Sequence, residues 1–401
     1  MKDGYLVDEP VPGEYLPADS GASLPASKFY LPDDLPPEIT LQEKISTIHG
    51  RAMHSLGRLD GLWSEIDDPD TVFGLFVYKE AEQSSQVEGT QVTVSDMYRK
   101  GADSKDVREA RNYAETLRQA TTQLTRDGRS RESLSIALLK SLHSSLMESD
   151  RTDDDPNPGA FRSQYVWIEE DTNGVGHRVR FVPPKAAVAT SKMEDFEQYM
   201  QSNGHYPDLV DIAILHYQLE TIHPFMDGNG RIGRLLIVLM LIASDILVHP
   251  LFYLSSYVRR NRDEYTDRLL AVSEEGEWNA WVAFFLQGIK EQADEAFGRA
   301  KLLLQLREEY RTRFRDAPPS VRQLTNVLFT EPVITASRAA TLIDMSYPAA
   351  NSAIDRLEAE GVLRETTGQQ RYREFQAEEV LECLNQPVEN IPSPGELIAT
   401  N

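Results

Sequence analysis

Apolar positions repeat at helical spacing through most of the chain. Leu41, Ile45, Ile48, Ala52, Leu56, Leu59 and Leu62 mark the first amphipathic helix, and Thr40 with Glu43 three residues on is a capping box that opens it. A second helix runs from about Thr71 to Glu88 and stops at Gly89, a favourable residue just past a helix end. Residues 104–128 and 132–149 read as two more. The pattern then changes. Residues 161–168 and 178–182 are β-prone, Asn173-Gly174 supplies the turn between them, and Pro183-Pro184 ends the second strand, which together predict a hairpin. Helical spacing resumes after Pro207-Asp208 with Leu209, Ile212, Ala213, Leu219 and Ile222. A loop over 223–230 follows, then an apolar helix from Arg231, then helices over about 260–273 and 277–316.

Two flanks differ from this body. Residues 1–39 are rich in proline, glycine and acids and read as an extended or loosely ordered arm. At Pro318-Pro319 the chain changes character: 320–382 read as three helices, a short β turn over 366–371 and a last helix, and 387–401 as a loose tail. The division expected is therefore an arm (1–39), a helical domain (40–316), a small module (318–386) and the tail. There is no internal repeat.

Composition narrows the function class. Against 41 Lys and Arg stand 64 Asp and Glu, a formal net charge of −23, so the chain as a whole repels nucleic acid and anionic membrane. The only cysteine, Cys383, has no internal disulfide partner, which suits a cytoplasmic protein. The N-terminus lacks a basic segment followed by an apolar one, and the longest apolar run, 235–243, is too short to cross a bilayer, so no membrane association is expected.

The chemistry concentrates in His223-Pro224-Phe225-Met226-Asp227-Gly228-Asn229-Gly230-Arg231-Ile232-Gly233-Arg234. Gly-Asn-Gly lets the backbone turn its N–H groups inward ahead of a helix, an arrangement that binds anions. Arg231 and Arg234 add permanent charge with a fork suited to phosphate oxygens. Asp227 is a hard oxygen ligand for Mg²⁺, and His223 can accept a proton near neutral pH. Cradle, metal ligand and base this close together point to chemistry on a phosphoanhydride. The spacing Gly228-x-Gly230-x-x-Gly233 also fits the dinucleotide fingerprint, but that requires a preceding strand, and 208–222 is helical in pattern. No Gly-Lys-Ser/Thr follows, so a Walker A loop is excluded.

That string resembles the Fic family, matching His-x-Phe-x-Asp/Glu-Gly-Asn-Gly-Arg-x-x-Arg at every specified position over a resemblance that extends across about 40–290. The related phosphate-transferring Doc toxins carry Lys where this chain has Gly230, which favours transfer of AMP. The resemblance implies a mainly α fold, a Fic-type helical core with a β-hairpin flap, and a protein adenylyltransferase that uses ATP and Mg²⁺, with Mn²⁺ as the substitute. By the same resemblance His223 would deprotonate a Tyr, Thr or Ser hydroxyl of a target protein. Asp227 would hold the metal. Gly228, Asn229 and Gly230 would form the anion hole, with Asn229 on the α-phosphate. Arg231 would bind the β-phosphate and Arg234 the γ-phosphate. Phe225 would anchor the loop in the core, Tyr265 would contact the nucleotide, and Val166 and Ile168 on the flap would pair with the target segment.

Ser84-x-x-x-Glu88-Gly89 at the end of the second helix is similar to the family's inhibitory motif, in the class that carries it on an N-terminal helix (about 72–88). The implied mechanism is competition: Glu88 pairs with Arg234 and displaces the γ-phosphate. In some relatives the same Glu activates water to remove AMP, so the reverse reaction is a live alternative. The segment 334–375 looks like a winged helix-turn-helix: first helix 337–343, turn Asp344-Met345-Ser346, recognition helix 347–360, wing 361–373. Residues 318–386 hold six Arg, no Lys and ten acids, a balance of −4 that is poor for DNA despite Arg356, Arg371 and Arg373. Protein docking or a homodimer competes with DNA for this module, and a DNA-binding transcriptional regulator whose Fic core only senses nucleotide is the alternative to the enzyme.

Overall fold

The computed structural model describes residues 10–19, 24–63, 70–148, 157–171, 176–202, 204–250, 252–392 and 395. The chain is mainly helical. In order it forms strands β1 (Gly13–Pro17) and β2 (Lys28–Pro32), then helices α1 (Glu43–Trp63), α2 (Asp70–Val87), α3 (Val94–Tyr98), α4 (Lys105–Arg126) and α5 (Ile136–Leu146). The hairpin β3 (Ile168–Asp171) and β4 (His177–Phe181) follows, then α6 (Ala186–Gln201), α7 (Asp208–Ile222), α8 (Asn229–Ala243), α9 (Ser255–Arg260), α10 (Arg262–Glu275) and α11 (Trp278–Arg313). The remainder is α12 (Pro319–Val327), β5 (Val333–Thr335), α13 (Ala336–Leu342), α14 (Tyr347–Ala359), β6 (Arg364–Glu365), β7 (Glu374–Gln376) and α15 (Glu378–Asn385). Among the described residues no helix is long and apolar enough to cross a membrane.

The fold divides into two compact units. The first takes residues 1–54, 115–248 and 254–290; the second takes 55–114, 249–253 and 291–401. At the centre of the first lies the antiparallel-connected pair α7 and α8, in which nearly every residue is buried. Apolar side chains all round a helix are what a central helix requires. Gly233 lets the two helices approach: a Cβ there would stand 2.7 Å from Glu220 Oε1 and 3.2 Å from the His216 ring.

The arm is more ordered than its composition predicts. β1 and β2 pair in register from Gly13↔Pro32 to Pro17↔Lys28, Phe29 and Tyr30 are buried, and the Tyr30 N–H donates to Val182 O at 2.8 Å, where the second hairpin ends. Two apolar aromatics among prolines and acids sufficed, and composition averaged over 39 residues concealed them. The first helix begins at Glu43 and not at the Thr40 cap. The Asn279 side chain accepts from Gln42 N (3.0 Å) and donates to Thr40 O (3.0 Å), so a distant residue supplies what the capping box offered locally.

Two further boundaries move. The flap's first strand starts at Ile168, so 161–167 is irregular, and a bulge falls between Ile168 and Glu169. The Asn173-Gly174 turn lies outside the described residues. α8 starts at Asn229, two residues before Arg231, which puts Asn229 and Gly230 into the helix's first turn. The helix expected at 260–273 is α10, and the short α9 before it was not anticipated.

The second unit contains α2 and the C-terminal elements together. β5, β7 and β6 form one sheet in that order, flanked by α12, α13, α14 and α15. α14 buries Ala350, Ala353, Ile354 and Leu357, an amphipathic stripe. The end of α15 is gripped by buried cations. Arg299 donates to Cys383 O (3.3 Å), to Leu384 O and to Gln386 O (2.9 Å), and its charge meets Glu295 at 2.9 Å. Lys79 on α2 donates to Asn385 Oδ1 at 2.8 Å and to Glu82 Oε2 at 2.5 Å, and burial pulls its ammonium below the usual lysine range. Gly298 makes room for Ile391, past the last helix, so part of the expected loose tail is packed.

Candidate functional site

The loop between α7 and α8 is shaped by two left-handed residues. His223 ends α7 with φ 50° and ψ 62°, its N–H donating to Leu219 O at 2.9 Å. A non-glycine residue held there costs roughly 1–2 kcal/mol, so other contacts must hold it. Gly228 precedes α8 with φ 75°, where a Cβ would stand 3.0 Å from Met147 Sδ. Left-handed geometry and a close neighbour both require glycine at 228.

Asn229 closes the loop upon itself. Its Oδ1 accepts from Phe225 N at 2.9 Å and its Nδ2 donates to Phe225 O at 3.0 Å, with the side chain buried. Phe225 is fully buried and stacks on His143 with ring centroids 3.9 Å apart and 6° between planes. His143 accepts at Nδ1 from Gly159 N (2.8 Å), so its proton sits on Nε2, which donates to Asp227 O at 2.9 Å. The tautomer follows from those two partners.

The polar face of the loop gathers the ionisable side chains. His223 is half-buried, with Nδ1 3.2 Å from Glu220 O. A carbonyl can only accept, so this contact puts the proton on Nδ1 and the lone pair on Nε2. The Asp227 side chain is 69% exposed, accepts from Gly228 N at 2.6 Å and lies 3.7 Å from Arg231. An exposed carboxylate beside a helix N-terminus suits one hard cation that draws its other ligands from phosphate and water. The first N–H groups of α8 have no acceptor within the helix and carry the positive end of its dipole. Arg231 and Arg234 are both buried, a costly position for permanent charge unless it is directed at a negative partner.

Behind the loop lies a neutral histidine. His216 is fully buried and its Nε2 lies 2.8 Å from the Tyr265 hydroxyl. Burial, and then the positive charge of Arg234, lower its pKa to about 3. Tyr265 is therefore brought to the back of the α7–α8 pair, packed with His216 and Trp281.

The other residues singled out in the sequence lie as follows. Val166 and Ile168 are half-buried, Val166 before the strand and Ile168 at its start, and Trp167 between them is the exposed side chain of the segment. Ser84 is buried inside α2, and Glu88 follows the helix in an exposed turn with its N–H on Ser85 O (3.1 Å). Sequence reasoning passed over His143, Arg162 and His216. Each looked like an isolated polar residue in an ordinary helix or strand, and only tertiary contacts give it a partner.

Residues 133–241 match the Fic/DOC family model and residues 47–122 the model of the Fic/DOC family N-terminal region. A protein adenylyltransferase Fic of Drosophila grimshawi is 32% identical over 129 residues, 31% of this chain and 23% of its own length. A probable protein adenylyltransferase of Aquifex aeolicus is 28% identical over 95 residues, 24% of this chain and 27% of that one. The matched segment thus spans about a quarter of these relatives. The crystal structure of a Fic family protein from Desulfovibrio desulfuricans, 18% identical, superposes with a TM-score of 0.53 over 85% of this chain and 98% of that one, a likeness of fold.

Proposed function

We propose that the chain, whose residues 133–241 match the Fic/DOC family model and residues 47–122 the model of that family's N-terminal region, transfers AMP from ATP to a Tyr, Thr or Ser hydroxyl of a protein, itself included. The observation that carries the reading is the loop between α7 and α8. It sets an imidazole whose Nδ1 meets a carbonyl at 3.2 Å against a helix N-terminus opened by Gly228 and flanked by buried arginines.

The chemistry follows from those groups. The acceptor hydroxyl loses its proton to His223 Nε2 as its oxygen attacks the α-phosphorus. The new P–O bond forms while the bond to the β-phosphate bridging oxygen breaks, and pyrophosphate leaves. The N–H groups of Gly230 and Arg231 at the start of α8 meet the charge that grows on the α-phosphate oxygens. Arg231 and Arg234 hold the outer phosphates. Asp227 would hold Mg²⁺ or Mn²⁺, which when bound neutralises phosphate charge. Asn229 keeps the cradle in shape through Phe225, a task that uses both ends of its amide. A general base contributes about 10²–10⁴-fold.

Glu88 is the proposed brake, by pairing with Arg234 in place of the γ-phosphate. A charged hydrogen bond worth ~1.5–3 kcal/mol corresponds to about ten- to a hundredfold repression. The order α12, β5, α13, α14, β6, β7 supports a winged helix-turn-helix reading of 318–386, with Tyr347 and Tyr372 exposed on its helix and wing. Its acidic balance favours a protein partner over DNA.

Intact-mass spectrometry of Glu88→Gly after exposure to ATP, UTP or GTP with Mg²⁺ tests the whole reading. One added AMP per chain with ATP, faster than in wild type and lost in Glu88→Gly/His223→Ala, is the expected result. Equal labelling with and without His223 overturns it. AMP released from modified chains faster by wild type than by Glu88→Gly would assign the reverse reaction to the same site.

A further inference from the structure

Arg162 is a buried, multiply bonded cation just outside the motif. It is 4% exposed. Its Nε donates to His223 O at 2.8 Å, one terminal nitrogen to Gln164 O at 2.8 Å, and the other to Ile222 O at 3.3 Å and to Pro184 O. Its own backbone N–H donates to Pro224 O at 2.9 Å. Every one of these acceptors is a main-chain carbonyl.

The identity of those carbonyls matters. Ile222 and His223 end α7, where carbonyls lack helical partners and the helix dipole is negative. Gln164 stands just before the flap and Pro184 just after it. One guanidinium therefore joins the residue proposed as base to both feet of the hairpin. The planar fork reaches several carbonyls at once, which a lysine ammonium does not match. Burial opposes its charge, pulling the group down to about 10, yet it stays protonated at neutral pH.

We propose that Arg162 is a positioning residue for AMP transfer, holding His223 in its left-handed conformation and at a fixed spacing from the two feet of the flap. This rests on the transfer reading above. A target segment laid along the hairpin would meet the imidazole at a distance set by this one side chain. Misplacement of a reacting group by about 1 Å costs on the order of 100-fold in rate.

The test uses the full-length Glu88→Gly chain and two derivatives, Arg162→Lys and Arg162→Gln. Self-labelling with ATP and Mg²⁺ gives a maximal rate and a half-saturating ATP concentration; equilibrium titration with ATP gives nucleotide bound per chain. The expected result is a maximal rate lower by about 10–100-fold in both variants, with half-saturation and bound ATP within about twofold of the parent. Failure of lysine to restore the rate separates the fork from simple charge. Unchanged rates in both variants overturn the proposal. So does a loss of bound ATP in proportion to the loss of rate, because that is the mark of unfolding, and so does full rescue by lysine. A Glu88→Gly parent that acquires no AMP overturns the transfer reading itself, and the positioning role with it.

Discussion

Two of the chain's helix–turn–helix pairs have opposite designs. In α7–α8 both helices are buried on nearly all sides, and the turn is enclosed by side chains from far along the sequence: His143 on Asp227 O, Arg162 on His223 O. In α13–α14 only one stripe of each helix is buried, and the turn is held by local backbone bonds such as Met345 N to Ala340 O at 3.0 Å. Each turn contains a non-glycine residue at φ 50°, His223 in one and Asp344 in the other. The same backbone geometry therefore serves two purposes. A turn fixed from outside can hold a reactive group against strain, whereas a turn fixed by itself leaves its outer face available to a partner.

The sharpest way to break this contrast is through Asn229. Asn229→Ala removes two buried hydrogen bonds and leaves Phe225 N and O without their partner, for an expected loss of about 2–4 kcal/mol in urea unfolding. Ser346→Ala in the second turn should cost much less, since its side chain makes no capping bond. Equal losses would remove the distinction between the turns.

A smaller effect comes from pH. His216 stays neutral in the folded chain, with its pKa lowered to about 3, whereas it titrates near 6.5 once unfolded. Below 6.5 the unfolded state binds the extra proton, so stability present at pH 7 is lost as pH falls toward 3. Between pH 6.5 and 5 this amounts to about 2 kcal/mol. Urea midpoints at pH 7 and pH 5 should converge in His216→Gln relative to wild type, and an unchanged pH slope would relocate the acid sensitivity elsewhere.

The smallest effect belongs to the second turn. Asp344→Gly relieves left-handed strain that, among the described residues, no distant group holds in place. It should leave stability unchanged or raise it by up to about 1 kcal/mol after the added freedom of the unfolded chain is counted. His223→Gly gains the same local relief but loses the imidazole. Thermal melts of the two variants, read beside self-labelling, would show whether conformation and chemistry separate at one turn and not at the other.

What the sequence revealed follows the same divide. The backbone roles of Gly228 and the helix start are local, and glycines ahead of an apolar run announce them. The long helices α2, α4 and α11 fall within a few residues of their expected bounds. The supports of the loop were not legible, because Arg162 and His143 acquire meaning only when chain segments tens of residues apart meet. Asn229 has a second task that the motif did not announce: both ends of its amide are engaged with Phe225. In the arm, two aromatics outweighed an average composition that pointed to disorder.

The grip of Arg299 and Lys79 on the end of α15 has a practical consequence for dissecting the molecule. Cutting the chain before residue 378 would remove the carbonyls and amide that satisfy two buried cations, one of them on the same helix that carries Ser84. A shortened chain would then differ from the parent in two places at once, and any gain in labelling could come from a disturbed α2 as readily as from a missing partner surface. Substitutions on the outward face of α14, at Tyr347 or Arg356, leave that anchorage intact and are the cleaner surgical tool.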